Sequence, residues 1–588
     1  MILQALTSLY EALAQKGEIS KEGWSREKIS FALSIDEEGN LLRVTPLFDT
    51  VDGPKGKTRE VPQKMMVPAA VKRTSGAAAN FLWDNSSYIL GVSLKKGEDD
   101  AEREKRRNKD IKCFEACREL HHSMLDGMEY PAAKAVLNFL DKWEPQKAEE
   151  NNLVAQYAKE ILSGANMVFR FNGGYVHDDP QLASVWQKAN AKQKDNIGQC
   201  LVTGALDEIQ KTHPTIKGVQ GAQSSGAALV SFNASAFCSY NKEQNQNAPV
   251  GKYAAFAYTT ALNHLLADRK NVHRIGDASV VCWAENADKQ YEDFAAEVFF
   301  GDNVDKSDEQ RLSALRTSLK LLADGLPCKE MDLDPDRKFY ILGLSPNAAR
   351  IAVRFFYCDS FGKIAGNIYR HHERLEIVRP SYDKFPILPL WKLLSATVNP
   401  NAKDKTPNAA MAGAVARAVF SGGRYPASLL ECTFLRIKAE RNITRERAAI
   451  IKAYYLRNPN EKCPKEVLTV SLNENSKNIP YTLGRLFSVY EEIQQAANPG
   501  INTTIKDRYF GSAAAMPATV FPILSNLAQK HLRKLSDAQR VYLDKKVMTL
   551  KSVLGEQYPA HMSLPEQGSF DLGYYHQTQA RYTKKEDK

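Results

Sequence analysis

Residues 218–251 read GVQGAQSSGAALVSFNASAFCSYNKEQNQNAPVG, and the rest of the chain is interpreted around them. A glycine- and amide-rich loop opens the stretch with Gly218, Gln220, Gly221, Gln223, Ser224, Ser225 and Gly226. The apolar run Ala227 to Phe232 predicts a short buried strand. A second polar loop follows from Asn241 through Lys242 to Asn247, and a helical pattern runs from Tyr253 to Leu266. Glycine lets backbone approach a partner closely, and Gln, Asn and Ser supply both donors and acceptors. Almost no ionisable group is present, so the stretch suits reading a hydrogen-bonding surface better than performing chemistry.

At 588 residues the chain exceeds what one core supports, and several domains are expected. Its 43% hydrophobic and 25% charged residues are ordinary for a soluble globular protein, and its net charge of +10 permits a polyanionic partner without requiring one. Nine cysteines without a repeated pair spacing argue for reduced thiols and a cytoplasmic location. The opening MILQALTSLYEALAQKGEIS has helical apolar spacing and no basic n-region, so it reads as an amphipathic helix and not as a signal peptide. No apolar run is long enough to span a bilayer, and no membrane partner is expected.

Lys28–Ile35 and Asn40–Leu47 read as a hairpin around Asp36-Glu37-Glu38-Gly39. A basic-polar loop, Lys72-Arg73-Thr74-Ser75-Gly76, leads toward Trp83 and an expected strand over Tyr88–Val92. Asp99–Asp110 is a charge run, read as a solvated helix face or mobile loop. Met167–Phe171 predicts a strand closed by Asn172-Gly173-Gly174, and Trp186–Ile209 predicts a helix. Ser279–Ala284, Phe339–Leu344 and Arg350–Cys358 predict buried strands, and Asp359–Val378 a helix. Beyond Trp391 helical patterns dominate. Pro459, Pro464 and the polar segment to Pro480 suggest a boundary near 470. Four helices are expected after it, over Tyr481–Ala496, Asn502–Ala515, Phe521–Arg533 and Ser536–Leu554, forming an antiparallel bundle. The basic tail from Gln577 is expected to fray. The fold class is α+β and multidomain. It comprises an N-terminal α/β domain over 1–340, a middle segment over 341–470 and a helical bundle over 471–588.

Residues able to carry chemistry fall outside familiar patterns. Cys113, Cys117 and His121 or His122 share a helix face, but no CxxC knuckle accompanies them, so no metal site is assigned. His177-Asp178-Asp179 and His371-His372-Glu373 hold acid/base residue types outside any nuclease or hydrolase pattern, and a structural role is favoured for both. Asp332 to Asp336 lacks the glycine and distal Glu of an EF-hand. Gly218, Gly221 and Gly226 lack the Gly-Lys-Ser/Thr of a phosphate-binding loop. No catalytic residue, metal or cofactor is expected.

Several long segments, in order, resemble one family: the N-terminal MILQALTSLYEALAQKGEI, VPAAVKRTSGAAANFLWDNSSYILG, the 218–250 stretch, AAFAYTTALNHLL, Phe339–Asn347 with RIAVRFF, and YTLGRLFSVYEEIQQAANPGIN. Together they resemble the large subunit of the type I-C (Dvulg subtype) CRISPR interference complex, Cascade. The resemblance implies a non-enzymatic subunit of a crRNA-guided antiviral complex, seated beside the crRNA 5′ handle. Such a subunit reads the protospacer-adjacent motif on duplex DNA, helps open the duplex into an R-loop, and presents it to a separate helicase-nuclease. Implied partners are crRNA, target double-stranded DNA and its displaced single strand. Backbone, crRNA-processing and small subunits of the complex are implied as well. The C-terminal bundle resembles a small subunit, which the family can also make from an internal start. No Met lies between Met411 and Met516, so that start would use a non-AUG codon, with Val467 and Val470 as candidates.

On this resemblance Lys72 and Arg73 are candidate phosphate or groove contacts, with Thr74, Ser75 and the Gly76 backbone beside them. Gln220, Gln223, Ser224, Ser225 and Asn233 are candidates for motif reading or strand separation, and Lys242 is a second choice. Arg485, Lys506, Arg508, Lys530, Arg533 and Lys534 are candidates for tracking the displaced strand by salt-sensitive contacts. The rival readings are a metal-dependent nuclease or hydrolase using His177, Asp178, His371 or Glu373, and a pure scaffold.

Overall fold

Seven consecutive buried residues, Ala278–Ala284, show why strands form in this chain: a run so apolar has to be covered on both faces. The computed structural model describes residues 1–52, 58–71, 73, 77–95, 97, 99–191, 196–232, 234–301, 309–383 and 385–582. Two compact units share them: one holds 10–212 and 232–260, the other 1–9, 213–231 and 261–588. The first helix, α1 (Ile2–Gln15), carries the expected amphipathic pattern, burying Leu6, Leu9 and Leu13.

The 10–212 unit contains strands β1 (Trp24–Ile29), β2 (Phe31–Ile35), β3 (Leu41–Pro46), β4 (Phe48–Asp52), β5 (Thr58–Pro68), β6 (Trp83–Asn85), β7 (Asn166–Phe171) and β8 (Gly174–Tyr175). One sheet runs β3-β2-β7-β6, with β8 hairpinned onto β7, and a second runs β1-β5-β4. The β2–β3 hairpin is the one expected from sequence, although Lys28 and Ile29 of its expected first strand belong to β1, and β7 is the expected strand closed by a turn at Asn172-Gly173. Helices α2 (Asp100–Leu125), α3 (Pro131–Lys142) and α4 (Pro180–Ala191) accompany them, and Phe81, Phe139, Phe169 and Cys117 are buried in one apolar cluster. Two expectations are corrected here. Tyr88–Val92 is not a strand, because the Asn85 side chain accepts the Ser87 N–H at 3.0 Å and starts a helical turn over Ser86–Ile89. The helix expected to reach Ile209 ends at Ala191, and a hairpin of β9 (Ile197–Gln199) and β10 (Leu206–Glu208) follows.

In the other unit β11 (His273–Ile275), β12 (Ala278–Ala284), β13 (Lys338–Asn347) and β14 (Arg350–Ser360) form one antiparallel sheet in that order. Helix α5 (Lys252–Ala267) leads toward it. After Ser360 the described chain is helical. Helices α6 (Glu309–Ala323), α7 (Phe361–Leu375), α8 (Arg445–Arg457), α9 (Ile479–Ala497), α10 (Ile505–Ala515), α11 (Pro517–Leu532), α12 (Asp537–Lys551) and α13 (Leu564–Ala580) include the four expected in the bundle and a fifth, α13. One hydrophobic cluster runs from Ile275 to Tyr575, so the sheet and the C-terminal helices share a core. The fold is α+β, with strands confined to the N-terminal part and helices following.

Helix α13 was invisible to apolar periodicity because it is buried nearly all round and rich in polar groups. Ser563 and Glu566 form a capping box at its start, and that Ser-x-x-Glu spacing is the signal that finds it. The tail expected to fray from Gln577 is ordered to Ala580, with His576 and Gln577 buried.

Candidate nucleic-acid interface

The glycine-rich part of the opening stretch is a braced loop in the sheet-and-bundle unit. Ile216 and Ala227 exchange both backbone hydrogen bonds at 2.9 Å, closing its base. Ala228 then docks beside the β13–β14 hairpin, donating to the Ala349 carbonyl and accepting from Ile351 N–H, each at 3.0 Å. Only these isolated bridges form over Ala227–Phe232, so the strand expected there is corrected to a two-residue anchor. Gly226 explains why: its φ of +99° turns the chain out of extended geometry. A Cβ there would lie 2.8 Å from both Thr215 Cβ and Oγ1. Between the anchors, two tight turns carry the loop, Ala222 N–H to the Val219 carbonyl and Gly226 N–H to the Gln223 carbonyl. Buried Val219 pins its centre, and Gln220 N–H donates to Ser279 Oγ at 3.1 Å.

The consequence is that Gln220, Gln223, Ser224 and Ser225 are exposed together, and their side chains take no hydrogen-bond partner among the described residues. Lys217, Arg269 and Lys270 are exposed on the segments leading into the loop and out of α5, against whose Leu266 Gly218 packs. Gly221 approaches Pro346 at the end of β13, and the exposed turn Asn347-Ala348-Ala349 flanks the same loop. Sequence reading overlooked this β13–β14 turn, because the partner of a loop more than a hundred residues earlier leaves no local signal.

The other candidates are placed as follows. Lys72, Thr74, Ser75, Gly76 and Asn233 lie outside the described residues. Arg73 is described: its guanidinium pairs with Asp84, donates to the Ala78 carbonyl at 2.7 Å and stacks 4.0 Å above the Tyr88 ring. Asp84 is fully buried and also accepts from the Asn80 and Asn85 N–H groups. Burial raises its pKa despite these partners. Arg73 is therefore tied to the Ala78–Tyr88 stretch. Arg73→Ala is expected to cost about 2 kcal/mol in chemical denaturation, since it strands a buried carboxylate whose partner was part-exposed. Lys242 is exposed in the 10–212 unit, on a loop where Tyr240, Asn241 and Gln244 have positive φ. Asn247 braces it by donating from Nδ2 to the Lys242 and Gln244 carbonyls at 2.9 Å.

Of the bundle residues, Arg485 is buried. It donates to Gln577 Oε1 at 3.1 Å and to the carbonyls of Asn473 and Glu474, tying α13 to the segment before α9. It is not available to a strand. Lys506 is half-buried, 3.3 Å from Asn442 Oδ1, and desolvation lowers its pKa. Arg508, Lys530, Arg533 and Lys534 are exposed, the last three at the end of α11, with Lys534 Nζ 3.5 Å from Asn498 Oδ1.

Of the acid/base candidates, His177 and His371 are buried, whereas Asp178 and Glu373 are exposed. His121 Nε2 accepts the Leu82 N–H at 2.9 Å and its Nδ1 lies 2.7 Å from the Cys117 carbonyl, so both ring nitrogens are engaged. His371 Nδ1 is 2.7 Å from the Tyr425 hydroxyl in the core. His177 is buried, and desolvation lowers its pKa. His177 and His371 belong to different units. Among the described residues, no three His, Cys, Asp or Glu side chains are grouped to hold a metal ion, and no helix is long and apolar enough to cross a membrane.

Residues 6–582 match the family model described as CRISPR-associated protein (Cas_Csd1). No curated protein matches the chain.

Proposed function

Because this chain belongs to the Cas_Csd1 family of CRISPR-associated proteins, the type I-C Cascade large subunits, we propose that it reads the protospacer-adjacent motif without cutting DNA. On this reading it works with crRNA and the other Cascade subunits, helps open the duplex into an R-loop, and leaves cleavage to a separate helicase-nuclease. The supporting observation is the loop from Ile216 to Ala227. Its base is hydrogen-bonded, its turns are fixed by glycines at positive φ, and its exposed amide and hydroxyl side chains are unspent. Amides in such a frame suit base edges in a groove, where Gln pairs bidentately with adenine and Ser with several bases. Lys217, Arg269 and Lys270 beside it suit phosphate contacts, which position without specifying. Sequence beyond the motif is left to guide pairing.

The test uses assembled complex and two duplexes, one bearing the motif and one with it scrambled. Gln223→Ala and the Ser224→Ala/Ser225→Ala pair are expected to weaken motif-bearing duplex about tenfold, near 1.4 kcal/mol, and to shrink the preference over scrambled DNA. Lys217→Ala is expected to weaken both duplexes alike and to lower the salt slope by about one. The exposed position of these residues leaves the fold intact. Unchanged discrimination in the loop variants would sink the motif-reading assignment and leave the scaffold reading standing. Divalent-metal-dependent cutting of labelled duplex, abolished by Glu373→Gln, would establish the nuclease instead.

A further inference from the structure

A cavity of about 520 Å³ opens in the sheet-and-bundle unit between α6, α7 and the chain from Glu376 to Leu388. Helix α6 turns Ser313, Arg316, Thr317 and Lys320 toward it, an i, i+3, i+4, i+7 stripe, while Leu315 and Leu322 go into the core. Helix α7 contributes Tyr369 and His372, and Arg379 stands on the connecting chain. The floor is apolar: Leu375, Ile377 and Leu388 are buried there.

The cations in this wall are unequal. Arg445 is spent, bonded to Asp383 and to the Phe385 and Pro386 carbonyls. Arg316, Lys320 and Arg379 are exposed and form no ion pair among the described residues, although Glu373 and Glu376 line the same cavity. Glu373 stands one helical turn after Tyr369, whose pKa desolvation and then the Glu373 carboxylate raise. His372 is half-buried without a hydrogen-bond partner, and desolvation together with Arg316 keeps its ring uncharged, with a pKa of about 4. It therefore offers one N–H donor and one bare nitrogen acceptor. Three unpaired cations at the mouth call for an anion with several oxygens, and the Arg forks match phosphate. The apolar floor beside an aromatic ring calls for a flat, mostly apolar body. Inorganic phosphate leaves the floor unused, and a simple fatty acid leaves His372 unused.

We infer that this cavity binds a nucleoside phosphate. Arg316, Lys320 and Arg379 hold the phosphate, the base lies over Leu375, Ile377 and Leu388 against Tyr369, and His372 bonds the base edge or sugar. The ligand comes either as a free mononucleotide or as one nucleotide of a single strand drawn into the cavity. The inference rests on no contact of the Ile216–Ala227 loop and stands or falls apart from it.

Purified full-length chain is titrated with AMP, dTMP, inorganic phosphate and a short fluorescein-labelled oligo-dT, by calorimetry and anisotropy. The same oligonucleotide carrying 4-thiothymidine is photo-crosslinked and mapped by mass spectrometry. The comparison is Arg316→Ala/Lys320→Ala, whose exposed positions preserve the melting temperature. Mononucleotide binding weakened at least tenfold in this variant supports the inference with a free nucleotide as ligand. Binding of the oligonucleotide alone, with a crosslink to the peptide holding Tyr369 and His372 that disappears in the variant, supports it with a strand as ligand. Binding unaltered by the substitutions, inorganic phosphate bound as tightly as nucleotides, or no binding by any probe overturns it.

Discussion

Gly484→Ala is expected to disrupt the C-terminal bundle, costing about 3 kcal/mol or more. Helices α9 and α13 touch backbone to backbone at two glycines. A Cβ on Gly484 would overlap the Phe570 carbonyl oxygen and lie 2.8 Å from Tyr574 N, and one on Gly573 would overlap the Tyr481 carbonyl. The obstacle in each case is backbone, which cannot rotate aside as a side chain can. Retreat of either helix would also part Phe487 from Phe570 and Tyr574, whose ring centroids are each 6.0 Å from its own. It would stretch the bond from Tyr574 Oη to Glu491 Oε2, 2.6 Å long in the buried interface.

The matched control is Gly511→Ala, on the exposed side of α10, where an added Cβ meets nothing within 4 Å. There the change should stabilise by about 0.5–1 kcal/mol, because Ala loses less backbone freedom in a helix. Amide hydrogen exchange in α9 and α13 is the readout, since it isolates the bundle from the rest of the chain. Equal protection in the two variants would show that the helices are not held by this close contact. Gly573→Ala should add little to Gly484→Ala, since both open the same seam.

The same seam marks where sequence reading stops. The strands β12, β13 and β14 were legible because their apolar content is local and continuous. The glycines of the 218–226 loop were legible too: Gly218, Gly221 and Gly226 all have positive φ, and each meets a close neighbour. Helix α13 was not, because its buried Gln567, Ser569, Asp571, His576 and Gln577 dilute any apolar stripe. Two of them have partners far away in the chain: Tyr481 for His576, and Arg485 for Gln577. For the same reason Arg485 read as a surface cation and proved to be a buried tie. Arg73 follows that pattern, its partner Asp84 being hidden eleven residues on in an unremarkable Trp-Asp-Asn. A basic residue's type announces its charge, whereas only the fold decides whether that charge is already spent.

Acid should loosen the protein well above the range where surface carboxylates titrate. Burial holds His121 at a pKa of about 4 and His576 at about 3, and lowers His371 as well, against 6.5 in an open chain. At His121 the cause is visible in the bonding, since a proton on Nε2 would displace the Leu82 N–H it accepts. Between pH 6.5 and about 4 the unfolded chain therefore binds more protons than the folded one. The stability these rings contribute is complete above 6.5 and is lost as pH falls through that window. For His121 the full window corresponds to about 3 kcal/mol. Two buried carboxyls work in the opposite sense. Desolvation raises Asp84 and Asp571, so the folded chain holds their protons longer and they cost stability as pH rises above 3.8. In the unit carrying them, the imidazoles of His371, His372 and His576 oppose the one carboxyl of Asp571. The rings outnumber the carboxyl, so the slope is positive and stability falls as pH drops below about 6.5. Urea unfolding from about pH 7 down to about pH 5, read by exchange of the α13 amides, should show that slope. His576→Gln should flatten it by about one proton, leaving His371 and His372 against Asp571. Stability that stays level or climbs on acidification would mean that these rings accept protons in place, and that the core around them is open to water.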